Sequence, residues 1–247
     1  MNTPRTARER ARAEVMTELL AAAKDRLSTE GAAALSLRAV ARDLGMASSA
    51  VYRYVDSRDA LLTLLIIDGY DAVGETCEQT ARQSFDRGES PAEAWLAVAR
   101  AFRAWAVANP RSFELVYGTP VPGYQAPQET VTSAVRLWSV LQTILRTALG
   151  DGSLRPPGRP LDASGLLSGE TLAFVGIDLT DPHADPEARH ALEGAVARSF
   201  TLFSSLVGAI SAELFGHLHR VVTDYDRAFD VTIATAAVGV GLFIELD

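Results

Sequence analysis

The 247-residue chain is 48% hydrophobic and 22% charged, contains one cysteine, Cys77, and carries a formal net charge of −8. This balance excludes a disordered chain, a disulfide scaffold and a protein that coats nucleic acid without sequence preference, and the lone thiol suits a reducing cytoplasm. The opening "MNTPRTARERARAEV" is polar where a secretory signal needs an apolar run, and the most apolar stretch, "VTIATAAVGVGLFI" at 231–244, is shorter than the roughly 20 residues of a membrane span.

Apolar residues recur every three or four positions almost throughout, which predicts an all-α protein with an N-terminal domain at 1–56 and a larger helical domain at 57–247. The first helix runs from about Thr6 to Thr29 and stops at Gly31. Two short helices follow within 35–58, and a long one extends from near Ser57 to about Ser84. The next opens on "SPAE", where Ser90 caps, Pro91 takes the first helical position and Glu93 completes a capping box. Asn109-Pro110 ends it and opens another short helix. Further helices are expected at about 128–149 and 161–178. Asp185-Pro186 then starts a helix reaching about 219, along which Leu192, Val196, Phe200, Phe203, Val207, Ile210, Leu214 and Leu218 form one apolar stripe. The last helix, within 224–246, is apolar over most of its circumference.

Charge is unevenly spread. Residues 1–60 hold 10 Lys and Arg against 8 Asp and Glu, whereas the other 187 hold 13 against 23. The mildly basic end also contains "LSLRAVARDLGMASSAVYRYVDSR" at 35–58, which has the spacing of a helix-turn-helix. Leu37, Val40 and Leu44 point inward, Ala41 is the small residue where two helices cross, and Gly45 makes the turn. Met46, Val51 and Tyr54 or Val55 close the core. Ser48, Ser49 and Ala50 then begin the second helix, where short side chains let backbone approach base edges. Arg38 is placed to reach a guanine or a phosphate, and Tyr52, Arg53 and Arg58 suit phosphates. Ser48 or Ser49 is also a candidate helix cap. Arg5, Arg8, Arg10 and Arg12 read equally as a minor-groove arm or a disordered tail.

With the aromatic pair in "VYRYV", a basic residue and "ALL" opening a long helix, residues 8–66 resemble the DNA-binding domain of the tetracycline-repressor family. "FRAWAVANPRSFELVYG" and "SSLVGAISAELFGHL" are similar to C-terminal segments of such regulators. The resemblance implies base or near-base contacts for Arg38, Ser48 and Ser49, and backbone contacts for Tyr52, Tyr54 and Arg58. Lysine is frequent in the family where Arg58 stands, and a hydroxyl residue is frequent at Ala50, which leaves contact with a thymine methyl as the alternative there. The implied function is a cytoplasmic transcription regulator, a repressor by analogy, that binds a palindromic DNA operator as a homodimer and is released by a small effector.

The second half supplies candidates for both remaining roles. Phe200, Phe203, Val207, Ile210, Leu214, Ala234 and Val238 are expected at a two-fold interface, with Gly208, Ala209, Ala212 and Gly216 on one helix and Ala234, Ala236, Ala237, Gly239 and Gly241 on the other permitting close helix approach. Trp95, Phe102 and Trp105 share a helix face. Together with Phe113, Tyr117 and Trp138 they suit an apolar or aromatic effector, although each also suits plain core packing. A regulator without an effector, a helical adaptor and an enzyme are the rival readings. For an enzyme, Glu213 and His217 lie at i and i+4 but fall short of a metal site, and neither a nucleophile elbow nor a phosphate-binding glycine loop is present. No cofactor, metal or membrane partner is expected.

Overall fold

The computed structural model describes residues 6–158, 162–176 and 185–246. Among these, all regular structure is helical. Helix α1 (Ala7–Glu30) starts with a reciprocal cap: the Thr6 hydroxyl accepts from the Glu9 N–H, and the Glu9 carboxylate accepts from the Thr6 N–H. Arg8, Arg10 and Arg12 are therefore helical, neither arm nor tail, because this cap starts the helix ahead of them. Arg5 lies outside the described residues.

A 3-10 turn (Ala32–Ala34) leads to α2 (Leu37–Asp43) and α3 (Ser48–Val51). Between them Gly45 takes φ +64, and the N–H groups of Gly45 and Met46 donate to the carbonyls of Arg42 and Ala41. A β-carbon at that φ would be strained, so glycine is what lets α2 end and the chain double back. The N-cap of α3 is Ala47, with no side-chain cap bond. Ser48 and Ser49 already lie inside the helix, so neither serves as its cap.

Helix α4 (Arg58–Asp86) is capped by Ser57, whose hydroxyl accepts from the Ala60 N–H. The capping box read from "SPAE" is realised at the start of α5 (Pro91–Ala108), where Glu93 N–H donates to Ser90 Oγ and Ser90 N–H donates to Glu93 Oε2. Helix α6 (Pro110–Tyr117) follows directly. The single helix expected over 128–149 is instead a 3-10 turn (Gln128–Thr130), α7 (Val131–Ala134) and α8 (Arg136–Gly150), broken at Val135. The β-branched residues Val131, Thr132 and Val135 weaken helix preference there.

Between 161 and 178 only α9 (Gly169–Phe174) forms among the described residues. Asp185 caps α10 (Pro186–Leu214), which turns out at Gly216, so Leu218 and His217 are not on the helix. Helix α11 (Tyr225–Val240) ends at Gly241, φ +103, where an added β-carbon would lie 2.4 Å from the Pro156 nitrogen. That glycine terminates the helix and admits the 155–156 backbone; Arg155 N–H donates to its carbonyl at 2.9 Å.

By contact the chain divides into two compact units, Met1–Ala72 with Ala106–Ala134, and Val73–Trp105 with Val135–Asp247. This division runs through α4 and α5, not at the 56/57 boundary. In the first unit Leu19, Ala23, Val40, Ala41, Val51, Leu61 and Leu62 form the core. Each large member contributes about 1.5–3 kcal/mol by leaving water. In the second unit α10 packs on α8 and α11, around Leu141, Ile144, Leu202, Leu206, Ile210 and Ile233.

Candidate nucleic-acid interface

The inward residues of the helix-turn-helix fall where the spacing places them: Leu37, Val40, Ala41, Val51 and Val55 are buried, and Leu44, Met46 and Tyr54 pack partly against the same core. This packing fixes α3 against α2. An ion pair braces the other end of α2, where the Arg26 guanidinium of α1 donates to both oxygens of Asp43 and also to Glu30. The hydrogen bond from Arg26 holds the Asp43 carboxyl below its ordinary range.

What the core leaves outside is a continuous polar face. Arg38, Ser48, Ser49, Tyr52 and Arg53 are exposed, Tyr52 to 44%, and Ala50 is half-buried. Among the described residues the side chains of Arg38, Ser48, Ser49, Tyr52 and Arg53 make no hydrogen bond or ion pair. Tyr54 differs: it is half-buried, and the Arg12 guanidinium lies over its ring at 5.4 Å while donating to the Arg53 carbonyl at 3.4 Å. Arg12 thus links α1 to the segment after α3.

Arg58 turns toward its own domain. Its Nε donates to the Leu35 carbonyl at 3.3 Å and Nη2 to the Ala32 carbonyl at 3.0 Å, both in the turn before α2. Arg42, which the sequence reading passed over, is exposed one helical turn beyond Arg38. Its i, i+4 spacing from Arg38 was the available signal.

The chain matches the description "Bacterial regulatory proteins, tetR family" over residues 19–65 and "Tetracyclin repressor-like, C-terminal domain" over 95–236. It is also 36% identical over 233 residues to the HTH-type transcriptional regulator Rv1816 of Mycobacterium tuberculosis, covering 90% of this chain and 91% of that one. The chain belongs to the tetracycline-repressor family. Like its family it is a transcription regulator that binds DNA, not an enzyme. The crystal structure of SCO4313 aligns at a TM-score of 0.65 with 30% identity, covering 95% of this chain and 98% of that one. A tetR-family regulator from Rhodococcus RHA1 shares the fold at a TM-score of 0.57 with 14% identity, covering 92% and 96%.

The aromatic candidates fall in both units. In the second, Trp95 and Phe102 are fully buried, Trp105 meets Phe102 edge-on with ring centres 6.1 Å apart, and Trp138 stacks on Phe203 at 4.4 Å. In the first, Phe113 and Tyr117 lie with ring centres 5.5 Å apart and tilted by 32°, Tyr70 meets Tyr117 edge-on, and Tyr70 OH donates to the Val116 carbonyl. Trp95 Nε1 is buried with no acceptor, the one such buried side-chain atom among the described residues.

The expected interface stripe divides as well. Ile210 is fully buried and Ala234 nearly so, because both face the α8–α10–α11 core. Phe200 (39% exposed) and Val238 (40%) face outward, and Phe203, Val207 and Leu214 are half-buried. Glu213 does not pair with His217, since the helix ends between them; its carboxylate accepts two bonds from Arg103 at 2.6 and 2.9 Å. By length and composition α10 would be apolar enough to cross a membrane, but in the fold it supplies the buried Leu202, Leu206 and Ile210.

Proposed function

We propose that this regulator is a homodimeric repressor that reads a palindromic operator with α3 and releases it when an apolar or aromatic effector binds. The observation that carries the reading is the face of Arg38, Ser48, Ser49, Tyr52 and Arg53, five donor side chains held outward on a packed scaffold and bonded to nothing among the described residues. Arg38 and the serines would meet base edges. Tyr52 and Arg53 would hold phosphates, and Ala50 would lie against a thymine methyl. The acidic remainder of the chain repels the duplex and limits contact to this face.

Two-fold pairing is supported by the outward Phe200, Val231 and Val238 beside the exposed Gly208 and Gly239, which add no side-chain bulk between α10 and α11 of facing copies. Two such heads would engage successive major grooves about 34 Å apart, and an effector favouring another spacing would release them. Trp95, Phe102, Trp105 and Trp138 of the second unit support an aromatic ligand, and the unpaired Trp95 N–H would donate to an acceptor on it. Repression and a cytoplasmic site of action follow the family by analogy. The complete burial of Trp95, Phe102 and Phe113 favours a second reading, a regulator without an effector, whose aromatics are core.

Duplex selection from a random library, followed by fluorescence anisotropy with competitor and by mass determination, tests the main reading. A palindromic consensus bound by two chains is expected. A single-chain mass at micromolar concentration would remove the dimer. Retention of the selected duplex against a panel of aromatic compounds would favour the effector-free alternative.

A further inference from the structure

Arg58 stands at the first position of α4, where the helix dipole disfavours a cation. Its donors account for it. Nε and Nη2 reach the carbonyls of Leu35 and Ala32, Nη2 also approaches the Ala33 carbonyl at 3.5 Å, and Nη1 lies 3.5 Å from Asp59.

The turn these bonds grip is held on one side by Leu35, which is buried in the core and whose N–H donates to the Ala32 carbonyl. Ser36, the N-cap of α2, makes no side-chain cap bond. Gly31, Ala32 and Ala33 also form one wall of a half-open cleft of about 340 Å³, completed by Leu115 and Val121, so solid packing does not back the turn on that side. The turn leads straight into Leu37, and Arg38 lies in the first turn of α2.

We infer that Arg58 is a positioning residue: its guanidinium fixes the 32–35 turn to the start of α4 and so sets where α2 presents Arg38 to DNA. This rests on the operator-reading face proposed above. It departs from the phosphate contact that the resemblance implies for Arg58, since the planar fork is already spent on carbonyls of its own chain. A lysine would carry the same charge without a fork that spans two carbonyls.

The two roles separate in salt. A phosphate contact contributes about 0.9 to the slope of log affinity against log salt, and its loss lowers the slope by that amount. We would measure Arg58→Lys, Arg58→Gln and Arg58→Ala, each confirmed folded by thermal melting, on the duplex selected by the wild-type protein across a salt series. A positioning role predicts affinity lowered by about tenfold in all three with the slope unchanged, the loss of one well-placed base contact. Three results would overturn it: a slope reduced by about 0.9 in the glutamine and alanine variants with rescue by lysine, which identifies a phosphate contact; affinity equal to wild type in every folded variant, which identifies a purely stabilising role; or unfolding of all three variants. A wild-type protein that selects no duplex would instead sink the operator reading, and this inference with it.

Discussion

Arg38 of α2 and Arg53, which follows α3, are used in the opposite way from Arg100, Arg103 and Arg136 of α5 and α8. In the second unit Arg100, Arg103 and Arg136 are each neutralised by a carboxylate of the chain. Arg100 pairs with Asp230 at 2.6 Å, Arg136 with Glu78 at 2.7 Å, and Arg103 with both Glu213 and Asp226 while lying over the Phe229 ring. On the proposed reading face Arg38 and Arg53 are exposed, and among the described residues their side chains pair with nothing. Exposed beside the helix-turn-helix, in a chain whose acidic residues outnumber its basic ones 31 to 23, Arg38 and Arg53 are placed for an anion from outside. The difference also predicts how substitutions divide: Arg100, Arg103 and Arg136 should govern stability, and Arg38 and Arg53 affinity.

The largest effect is expected at Arg103. Arg103→Ala strands the Glu213 carboxylate, whose side chain is 16% exposed, and uncovers Phe229. Removing one partner of such a partly buried pair should cost about 2–3 kcal/mol in urea unfolding. Operator affinity per folded dimer should not change at temperatures below the transition. A loss of affinity with stability intact would break the comparison outright.

Arg38→Ala should show the reverse. Loss of a base contact should weaken the selected operator by about 1–2 kcal/mol and relax preference at one base pair, while the melting temperature stays put. Arg53→Ala should weaken operator and random duplexes alike and lower the salt slope by about 0.9, the mark of a phosphate contact. Equal losses for Arg38→Ala on operator and random DNA would move that residue to the backbone class.

Which of these assignments the sequence could carry depends on where their cause lies. The helix-turn-helix was legible because crossing residue, glycine and core positions are all local, within the 35–58 stretch. The same holds for the Ser90–Glu93 box and the Asp185 cap. Arg58 was not legible, because its partners lie 23 and 26 residues earlier and only the fold brings them to it. Nor could periodicity separate the two apolar stripes of α10. Leu202, Leu206 and Ile210 form the buried one, and Phe200, Phe203, Val207 and Leu214 run beside it, half-exposed. Helix-period counting picked out most of the outer stripe, with Ile210 taken from the inner. The stop at Leu214 was masked by apolar residues that continue past Gly216, and the break at Val135 by the length of the pattern around it.

The smallest effect belongs to the Arg136–Glu78 pair. The hydrogen bond from Arg136 holds the Glu78 carboxyl below its ordinary range, with the charges of Arg136 and Arg82 adding to it. A carboxyl depressed in the folded state contributes stability above its unfolded pKa and loses it as pH falls through the folded value. Because the Glu78 side chain is 34% exposed and solvent screens the pair, the contribution at neutral pH should be below about 1 kcal/mol. Glu78→Gln should therefore lie slightly under wild type at neutral pH, and the two stability curves should converge as the pH falls through the folded-state value of Glu78 and the wild-type carboxyl is protonated as well. A gap that persists at low pH would mean that the glutamine disturbs packing around Arg136 and that the pair's charge contributes nothing measurable.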